Sequence, residues 1–339
     1  MKIDIGVAIA TFNGMKYLDA QLESICRQTV RPSMISISDD CSTDGTVEYL
    51  ENFARRSPIP VVFKPNPHRG GVINNFLNAF ANCTSEYIAY CDQDDVWRAD
   101  RLSVCGEALK DPAVALVLHR SAIVDENLRP TDRAEPFNIR AGTYSHPYFP
   151  DYLWGFGHQM VFSRKVLEVM REIMKCESKS IASFSVNFDK ALLAAAGMVG
   201  RICFVDAELV QFRRHGQSTS TAGKIGTVPG ESLESDGRRV RIEATKKLID
   251  GFLAEVEENR LQSAAGEASR LLYVQHLRRL QARYESRRRL YALPSRSQRL
   301  GALIDLIVSN SYGSMIDNKL PPRHLLLDAW RSVKGGGAG

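Results

Sequence analysis

Residues 87–97 have the sequence YIAYCDQDDVW, in which a short apolar run meets a cluster of acidic side chains. The run from Tyr87 to Cys91 is typical of a buried strand. Three carboxylates within residues 92–95 repel one another unless a cation or strong hydrogen-bond donors lie among them. Carboxylate oxygens without neighbouring thiolates suit Mg²⁺ or Mn²⁺, ions that commonly bridge to substrate phosphates. The stretch therefore predicts a strand that ends at a divalent-metal site, with an acidic solvated turn or a helix cap as the alternative.

The chain before this stretch alternates between strand and helix patterns. Apolar runs at 3–10, 34–38 and 59–63 predict three further strands, and helical spacing of apolar residues separates them. This order predicts an α/β fold, Rossmann-like, with a mainly parallel sheet and helices on both faces. Ligands of such sheets bind beyond the carboxyl ends of the strands. Because polar turns at 11–13 and 39–40 also follow strands, we expect them to meet residues 92–95 in one cleft.

Composition places the chain among ordinary globular proteins. It has 339 residues, of which 44% are hydrophobic and 24% charged. Its seven cysteines are scattered without a C-x-x-C pair, which disfavours a disulfide framework or a zinc site and favours a reducing compartment. No apolar run approaches the roughly 18 residues that a membrane span needs, and the acidic Asp4 is unlike the core of a signal peptide. We expect a cytoplasmic protein.

The positive charge is concentrated towards the C-terminus. Residues 238–299 carry 15 Lys and Arg against 7 Asp and Glu, whereas the remainder of the chain has a net charge of −3. We predict a linker or mobile loop at 223–237, a basic helical appendage at 238–334 and a flexible tail at 335–339. Three interpretations of the basic helices stay open: a solvated face, peripheral contact with an anionic membrane on its cytoplasmic side, or a homodimer interface. Nucleic-acid binding is disfavoured because no known module for it is present.

Three motifs together carry a family resemblance. The chain resembles the family 2 glycosyltransferases of the GT-A fold, and most closely their rhamnosyltransferase-like branch, in residues 7–14 (VAIATFNG), 38–46 (SDDCSTDGT) and 91–97 (CDQDDVW). Residues 157–162 and 212–216 also fit, and the resemblance implies a GT-A catalytic domain over 1–222. Two departures stand out: Cys41 occupies a position where the family usually has glycine, and Asn187-Phe188-Asp189 replaces the common His-Asp-Trp.

The resemblance implies a role for each polar strand end. Thr11 and Asn13 would hydrogen-bond the nucleotide, and Asp40 would accept the imide N–H of a uracil or thymine ring. Asp92 would hold the ribose. Asp94 would bind the divalent metal, Mn²⁺ or Mg²⁺, that neutralises a diphosphate leaving group.

Three residues further along the chain complete the implied site. Arg213 and His215 would bind the diphosphate or complete the metal shell, although an exposed loop histidine explains His215 equally well. Asp189 would be the general base that deprotonates the acceptor hydroxyl. Its alternative role is that of a helix N-cap.

The resemblance thus implies an inverting glycosyltransferase. It would move a sugar, such as rhamnose, from a dTDP- or UDP-sugar to a hydroxyl of a saccharide or lipid-linked acceptor in surface polysaccharide or glycolipid synthesis. One alternative is a nucleotidyltransferase, but such an enzyme should carry a glycine-rich phosphate loop, and residues 11–14 do not form one. The other alternative is a non-catalytic nucleotide-binding module.

Overall fold

The structure is a computed structural model that describes residues 3–132, 140–144, 156–175, 188–216 and 292–308, with isolated positions between 250 and 290. The predicted linker 223–237, the tail 335–339 and most of the basic region lie outside these residues. The domain limits, the membrane contact and the homodimer therefore stay predictions.

The described residues build one mixed sheet flanked by helices. The strands are β1 (Ile5–Thr11), β2 (Ile35–Asp39), β3 (Val61–Pro65), β4 (Tyr87–Cys91), β5 (Val96–Trp97), β6 (Val114–Val124), β7 (Gly142–Tyr144), β8 (Met160–Ser163) and β9 (Arg201–Arg213). The helices are α1 (Met15–Cys26), α2 (Thr46–Arg56), α3 (Gly71–Asn82), α4 (Arg101–Ala108), α5 (Arg164–Lys175), α6 (Phe188–Val199) and α7 (Arg296–Val308), with a short 3₁₀ helix at Gly157–Gln159. The strand order is β3-β2-β1-β4-β8-β6-β9-β5, and β7 pairs with β9.

The first half of the sheet is parallel, as predicted. Strands β3, β2, β1 and β4 all pair in parallel, and every residue of β1, β2 and β4 is buried. Continuous apolar runs are typical of parallel strands that are covered on both faces. Because Thr11 pairs with Asp39 and Ile9 with Cys91, the three polar turns emerge at the same edge of the sheet. The predicted convergence of these turns is confirmed.

The second half of the sheet is mixed, unlike the mainly parallel sheet that the strand pattern predicts. Strand β8 runs antiparallel to both β4 and β6, and β9 pairs antiparallel with β5 and β7. Strands β6 and β9 are also longer than their apolar runs. Strand β6 continues past Leu118 through the buried polar residues His119 and Ser121, which interrupt the hydropathy pattern.

Helices cover both faces of the sheet, which confirms that prediction. On one face, Phe80 of α3, Met170 of α5 and Leu192 of α6 belong to one apolar cluster. On the other face, Leu22 of α1 and Leu102 of α4 belong to a second cluster. Burying an aromatic or aliphatic side chain of this size contributes about 1.5–3 kcal/mol, so both clusters stabilise the packing of the helices on the sheet.

The six cysteines within the described residues are free thiols. No described helix combines the length and the apolar character that crossing a bilayer requires.

Candidate active site

The turns after β1 and β2 are tied together by side-chain hydrogen bonds. Thr11 Oγ1 donates to Asp39 Oδ2 at 2.6 Å, and Asn13 Oδ1 accepts the amide N–H of Thr43 at 2.9 Å. The amide N–H of Asn13 donates to Ser42 Oγ at 2.8 Å. Thr11 and Asn13 therefore lie at the predicted cleft, where they organise its floor; their contact with a nucleotide stays a prediction.

Asp40 anchors the loop that leads into α3. Its two carboxylate oxygens accept the amide N–H groups of Gly70 and Gly71 at 2.7 and 2.9 Å, and Asn66 Nδ2 lies 3.3 Å from Oδ1. A carboxylate offers about four acceptor sites, so these bonds leave capacity for one more donor. Asp40 thus follows β2 at the cleft edge and has a structural role that the sequence did not show; its contact with a pyrimidine base stays a prediction.

Cys41 adopts the left-handed backbone conformation, with φ of 64°. A side chain in this region costs roughly 1–2 kcal/mol, whereas glycine enters it freely. This explains physically why glycine is the usual residue at this position of the family.

We expect Cys41→Gly to raise the free energy of unfolding by about 0.5–1 kcal/mol, since relief of strain is partly offset by the greater entropy of the unfolded chain. Denaturant titration checks this. Cys26→Gly, in the helical backbone of α1, is the matched control and should destabilise instead. A Cys41→Gly protein that is less stable than wild type contradicts the strain argument.

The acidic turn that follows β4 is closed by the end of β9. The amide N–H of Arg213 donates to Asp95 Oδ1 at 3.0 Å, and Arg213 Nε donates to the carbonyl oxygen of Asp94 at 2.7 Å. His215 Nε2 lies 2.7 Å from Asp94 Oδ2, and its side chain is only 6% exposed. The fold therefore brings together Asp94, Arg213 and His215, and His215 is not an exposed loop residue.

The carboxylates of this turn repel each other as their spacing predicts. Burial first, and then the charge of Asp94, raise the pKa of the Asp92 carboxyl to about 7. The same two causes raise the pKa of Asp95 well above its usual range. A positive ion among these groups would relieve both effects.

A divalent cation fits the donor set of this cluster. Asp92, Asp95 and His158 each offer a ligand atom, and these atoms lie within 4.8 Å of one another. Asp95 Oδ2 is buried and has no hydrogen-bond partner among the described residues. Burial, followed by the nearby Arg101 charge, lowers the pKa of His158 to about 3, so its imidazole is neutral and able to bind a metal. The two carboxylates supply the oxygen ligands that suit Mn²⁺ or Mg²⁺.

Two residues of the site carry roles that the sequence did not reveal. Gln93 pairs with the backbone of Phe12, whose N–H donates to Oε1 at 2.8 Å and whose carbonyl accepts from Nε2 at 3.0 Å. A Cβ on Gly14 would lie 2.3 Å from Gln93 Oε1, so only glycine fits there. His158, in the segment 157–162 that fits the family resemblance, has its Nδ1 atom 3.7 Å from Asp92 Oδ2. In the sequence, the only sign of a role for Gln93 was its position between Asp92 and Asp94.

Asp189 lies in the first turn of α6 and is half-buried. After burial, the charges of Asp189 and Asp92 are the next causes that raise the pKa of Tyr90. Asp189 and Asp92 are therefore both near enough to Tyr90 to act on its hydroxyl. Its assignment as a general base stays a prediction.

Comparison with known proteins identifies the family. The model of the Glycosyl transferase family 2 matches residues 6–171. A protein described as an uncharacterized glycosyltransferase of Nostoc sp. is 26% identical over 258 residues, which are 74% of this chain and 76% of the relative. The dTDP-rhamnosyl transferase RfbG of Shigella flexneri is 36% identical over 98 residues, 28% of this chain and 34% of the relative.

The solved structures agree on the fold. S. aureus TarS, 14% identical, superposes with a TM-score of 0.52 over 93% of this chain and 54% of TarS. At this identity the likeness concerns the fold alone, and it confirms the GT-A expectation. The predicted resemblance to the rhamnosyltransferase-like branch is also confirmed, and residues 6–171, just under half of the chain, match the model of glycosyltransferase family 2.

Proposed function

We propose that this protein is a metal-dependent, inverting glycosyltransferase that moves a sugar from a dTDP- or UDP-sugar to a hydroxyl of a saccharide or lipid-linked acceptor. We further propose rhamnose as the sugar and surface polysaccharide or glycolipid synthesis as the setting. The observation that carries the proposal is the acidic turn at Asp92–Asp95, joined by Arg213 and His215 at the sheet edge where Thr11 and Asp40 also lie. The similarity to a dTDP-rhamnosyl transferase supports the nucleotide and the sugar.

The nucleotide-sugar donor would lie along the sheet edge formed by the turns after β1 and β2 and by the acidic turn after β4. Asp40 would select a pyrimidine base, Thr11 and Asn13 would support the nucleoside, and Asp92 would accept from the ribose. Arg213 is a fixed cation beside the acidic turn, because its guanidinium donates to the carbonyl oxygens of Asp94 and Glu126. Such a cation would attract the diphosphate.

The metal would be held by carboxylates of the acidic turn, with Asp94 and His215 among its ligands. When bound, it supplies charge that stabilises the departing nucleoside diphosphate. Asp189 would accept the proton of the acceptor hydroxyl as the acceptor oxygen bonds to the anomeric carbon and the bond from that carbon to the phosphate oxygen breaks. One displacement of this kind inverts the anomeric configuration.

A donor screen tests the proposal. The purified full chain is incubated with dTDP-, UDP- and GDP-sugars, in Mn²⁺ and in chelator, and the products are separated. We expect a nucleoside diphosphate and free sugar, formed only with metal. Release of sugar 1-phosphate would instead favour a nucleotidyltransferase, since transfer of the nucleotidyl group breaks the bond between the two phosphates. Tight donor binding without turnover, even with an acceptor mixture, would favour a non-catalytic module.

The pyrimidine preference gives a prediction for Asp40. We expect Asp40→Asn to weaken dTDP or UDP binding by about 1.5–3 kcal/mol, because a charge-assisted hydrogen bond to the imide N–H is lost. Titration calorimetry with dTDP, UDP and GDP measures this. Asn66→Ala is the matched control, since Asn66 supports the same loop through Ser38 and Asn78. Wild-type protein that binds GDP as tightly as dTDP contradicts the base-selecting role.

A further inference from the structure

The aromatic ring of Tyr17 contacts both side chains that join the acidic turn from the end of β9. Its centre lies 4.5 Å from the centre of the His215 imidazole, and the two ring planes are tilted by 36°. The guanidinium carbon of Arg213 lies 4.8 Å from the centre of the same ring. Aromatic rings attract other rings and cations at these distances. One residue of α1 therefore supports both partners of the acidic turn.

The hydrogen bonds of these two partners fix individual atoms of each group. His215 Nε2 lies 2.7 Å from Asp94 Oδ2, and Arg213 donates to the carbonyl oxygens of Asp94 at 2.7 Å and Glu126 at 2.6 Å. A hydrogen bond at one ring nitrogen still allows the imidazole plane to turn about that bond. A contact on the ring face restricts this rotation, so Tyr17 restrains what the hydrogen bond to Asp94 leaves undefined.

Tyr17 is itself held firmly in the first turn of α1. Its side chain is buried, its amide N–H donates to the carbonyl oxygen of Gly14 at 3.0 Å, and the adjacent Leu18 belongs to the second apolar cluster. The neighbouring Lys16 pairs with Glu126, but both of these side chains are exposed. Exposed ion pairs contribute little to stability. The buried ring is therefore the main link between α1 and the end of β9.

We propose that Tyr17 is a positioning residue whose ring orients His215 and Arg213 towards the acidic turn. It acts through these two side chains, and it connects the turn at 11–14 with the end of β9. The proposed nucleotide-binding end of the site and its proposed metal-binding end are thereby held in one arrangement. The inference rests on the proposed metal-dependent function only for its consequence for metal binding.

The first test measures the affinity of the full chain for Mn²⁺ alone, from the electron paramagnetic resonance signal of the free ion. Leucine refills the apolar space of Tyr17 but has no flat face to hold an imidazole. Removing the support of a metal ligand typically weakens metal binding by 10- to 100-fold, so we expect the Mn²⁺ dissociation constant of Tyr17→Leu to rise by about this factor. Tyr17→Phe keeps the ring and should bind Mn²⁺ as wild type does.

Tyr49→Leu is the matched control, because Tyr49 is a half-buried tyrosine of α2 that packs on the second apolar cluster and donates to Asp19 Oδ1 at 2.7 Å. It should lose stability and keep the Mn²⁺ affinity of wild type. Wild-type affinity in Tyr17→Leu would overturn the proposal. So would a Tyr17→Phe protein that binds Mn²⁺ as weakly as Tyr17→Leu, because the hydroxyl and not the ring would then be responsible.

Hydrogen exchange tests the same contact in chelator, without any metal. The amide N–H of Arg213 donates to Asp95 Oδ1 at 3.0 Å, so its exchange reports whether the end of β9 stays on the acidic turn. In Tyr17→Leu we expect peptides that cover 210–216 to exchange about tenfold faster, because local opening becomes easier there. Peptides of β1 should exchange as in wild type.

The exchange data also separate the failure of this inference from the failure of the proposed function. Unchanged exchange at 210–216, or equal acceleration there and in β1, would refute the positioning role of Tyr17. A wild type that does not bind Mn²⁺ would count against the proposed metal site instead, and the comparison in chelator would still decide the role of Tyr17. If Tyr17→Leu does not fold, Tyr17→Met, whose flexible side chain refills the space without a flat face, carries the same expectations.

Discussion

Asp94→Asn is expected to lower turnover by about three orders of magnitude while the protein stays folded. Asp94 is paired with a histidine of the site, its Oδ2 atom lying 2.7 Å from His215 Nε2. Replacing it removes one ligand charge from the proposed metal site. Losing about 4 kcal/mol of transition-state charge stabilisation corresponds to roughly a thousandfold in rate. Steady-state release of nucleoside diphosphate from the preferred donor measures the effect.

The metal dependence of donor binding separates a lost ligand from a damaged fold. Wild-type affinity for the nucleotide sugar should rise with Mn²⁺ or Mg²⁺, and the affinity of Asp94→Asn should not. Asp111→Asn is the control, since this exposed carboxylate lies before the amino end of β6, away from the site, and pairs with Arg201. If Asp94→Asn turns over in chelator as fast as wild type does in metal, Asp94 is not a metal ligand.

The parallel half of the fold could be predicted because hydropathy alone encodes it. Strands β1, β2 and β4 are buried along their whole length, so that each appears as an uninterrupted apolar run. The far ends of β6 and β9 could not be predicted in this way. In β6, His119 and Ser121 are buried because they bond to Arg101 and His158, partners 18 and 37 residues away. A hydropathy pattern compares residues that are close along the chain, so it does not detect hydrogen bonds between residues this far apart.

The same distinction applies to the candidate site: some of its residues could be predicted from the hydropathy pattern, and others could not. Asp92 and Asp94 follow a recognisable strand, so their place at the sheet edge was predictable. Gln93 acts through the backbone of Phe12, a contact between two loops that leaves no periodic signal. Arg101 is harder still, because charged residues are almost never fully buried unless they are paired, and an arginine at a helix start would be placed on the surface. Only the folded arrangement shows the imidazole and the backbone carbonyls that accept its hydrogen bonds.

Asp189→Asn is the second substitution with a large expected effect. A general base acts on the acceptor proton in the transition state alone, so we expect turnover to fall by about 10²–10⁴-fold while donor affinity stays near wild type. The test measures both the acceptor-dependent transfer rate and the dissociation constant of the nucleotide-sugar donor. A lower kcat with unchanged donor binding indicates that the general base has been lost. The pH profile supplies a third measurement: the acidic limb of kcat, set by protonation of the base, should disappear in Asp189→Asn.

The competing role for Asp189 predicts a different pattern. A carboxylate in the first turn of α6 stabilises the helix dipole by about 0.3–1 kcal/mol, and asparagine keeps the shape but not the charge. Under that role, Asp189→Asn lowers Tm slightly and leaves turnover intact. Asp44→Asn provides the matched comparison, because Asp44 accepts from the backbone and the hydroxyl of Thr46 at the start of α2 and has no proposed proton to take. Asp189→Asn that behaves like Asp44→Asn in both stability and turnover would make Asp189 a helix-stabilising residue, and the base would have to lie elsewhere in the cleft.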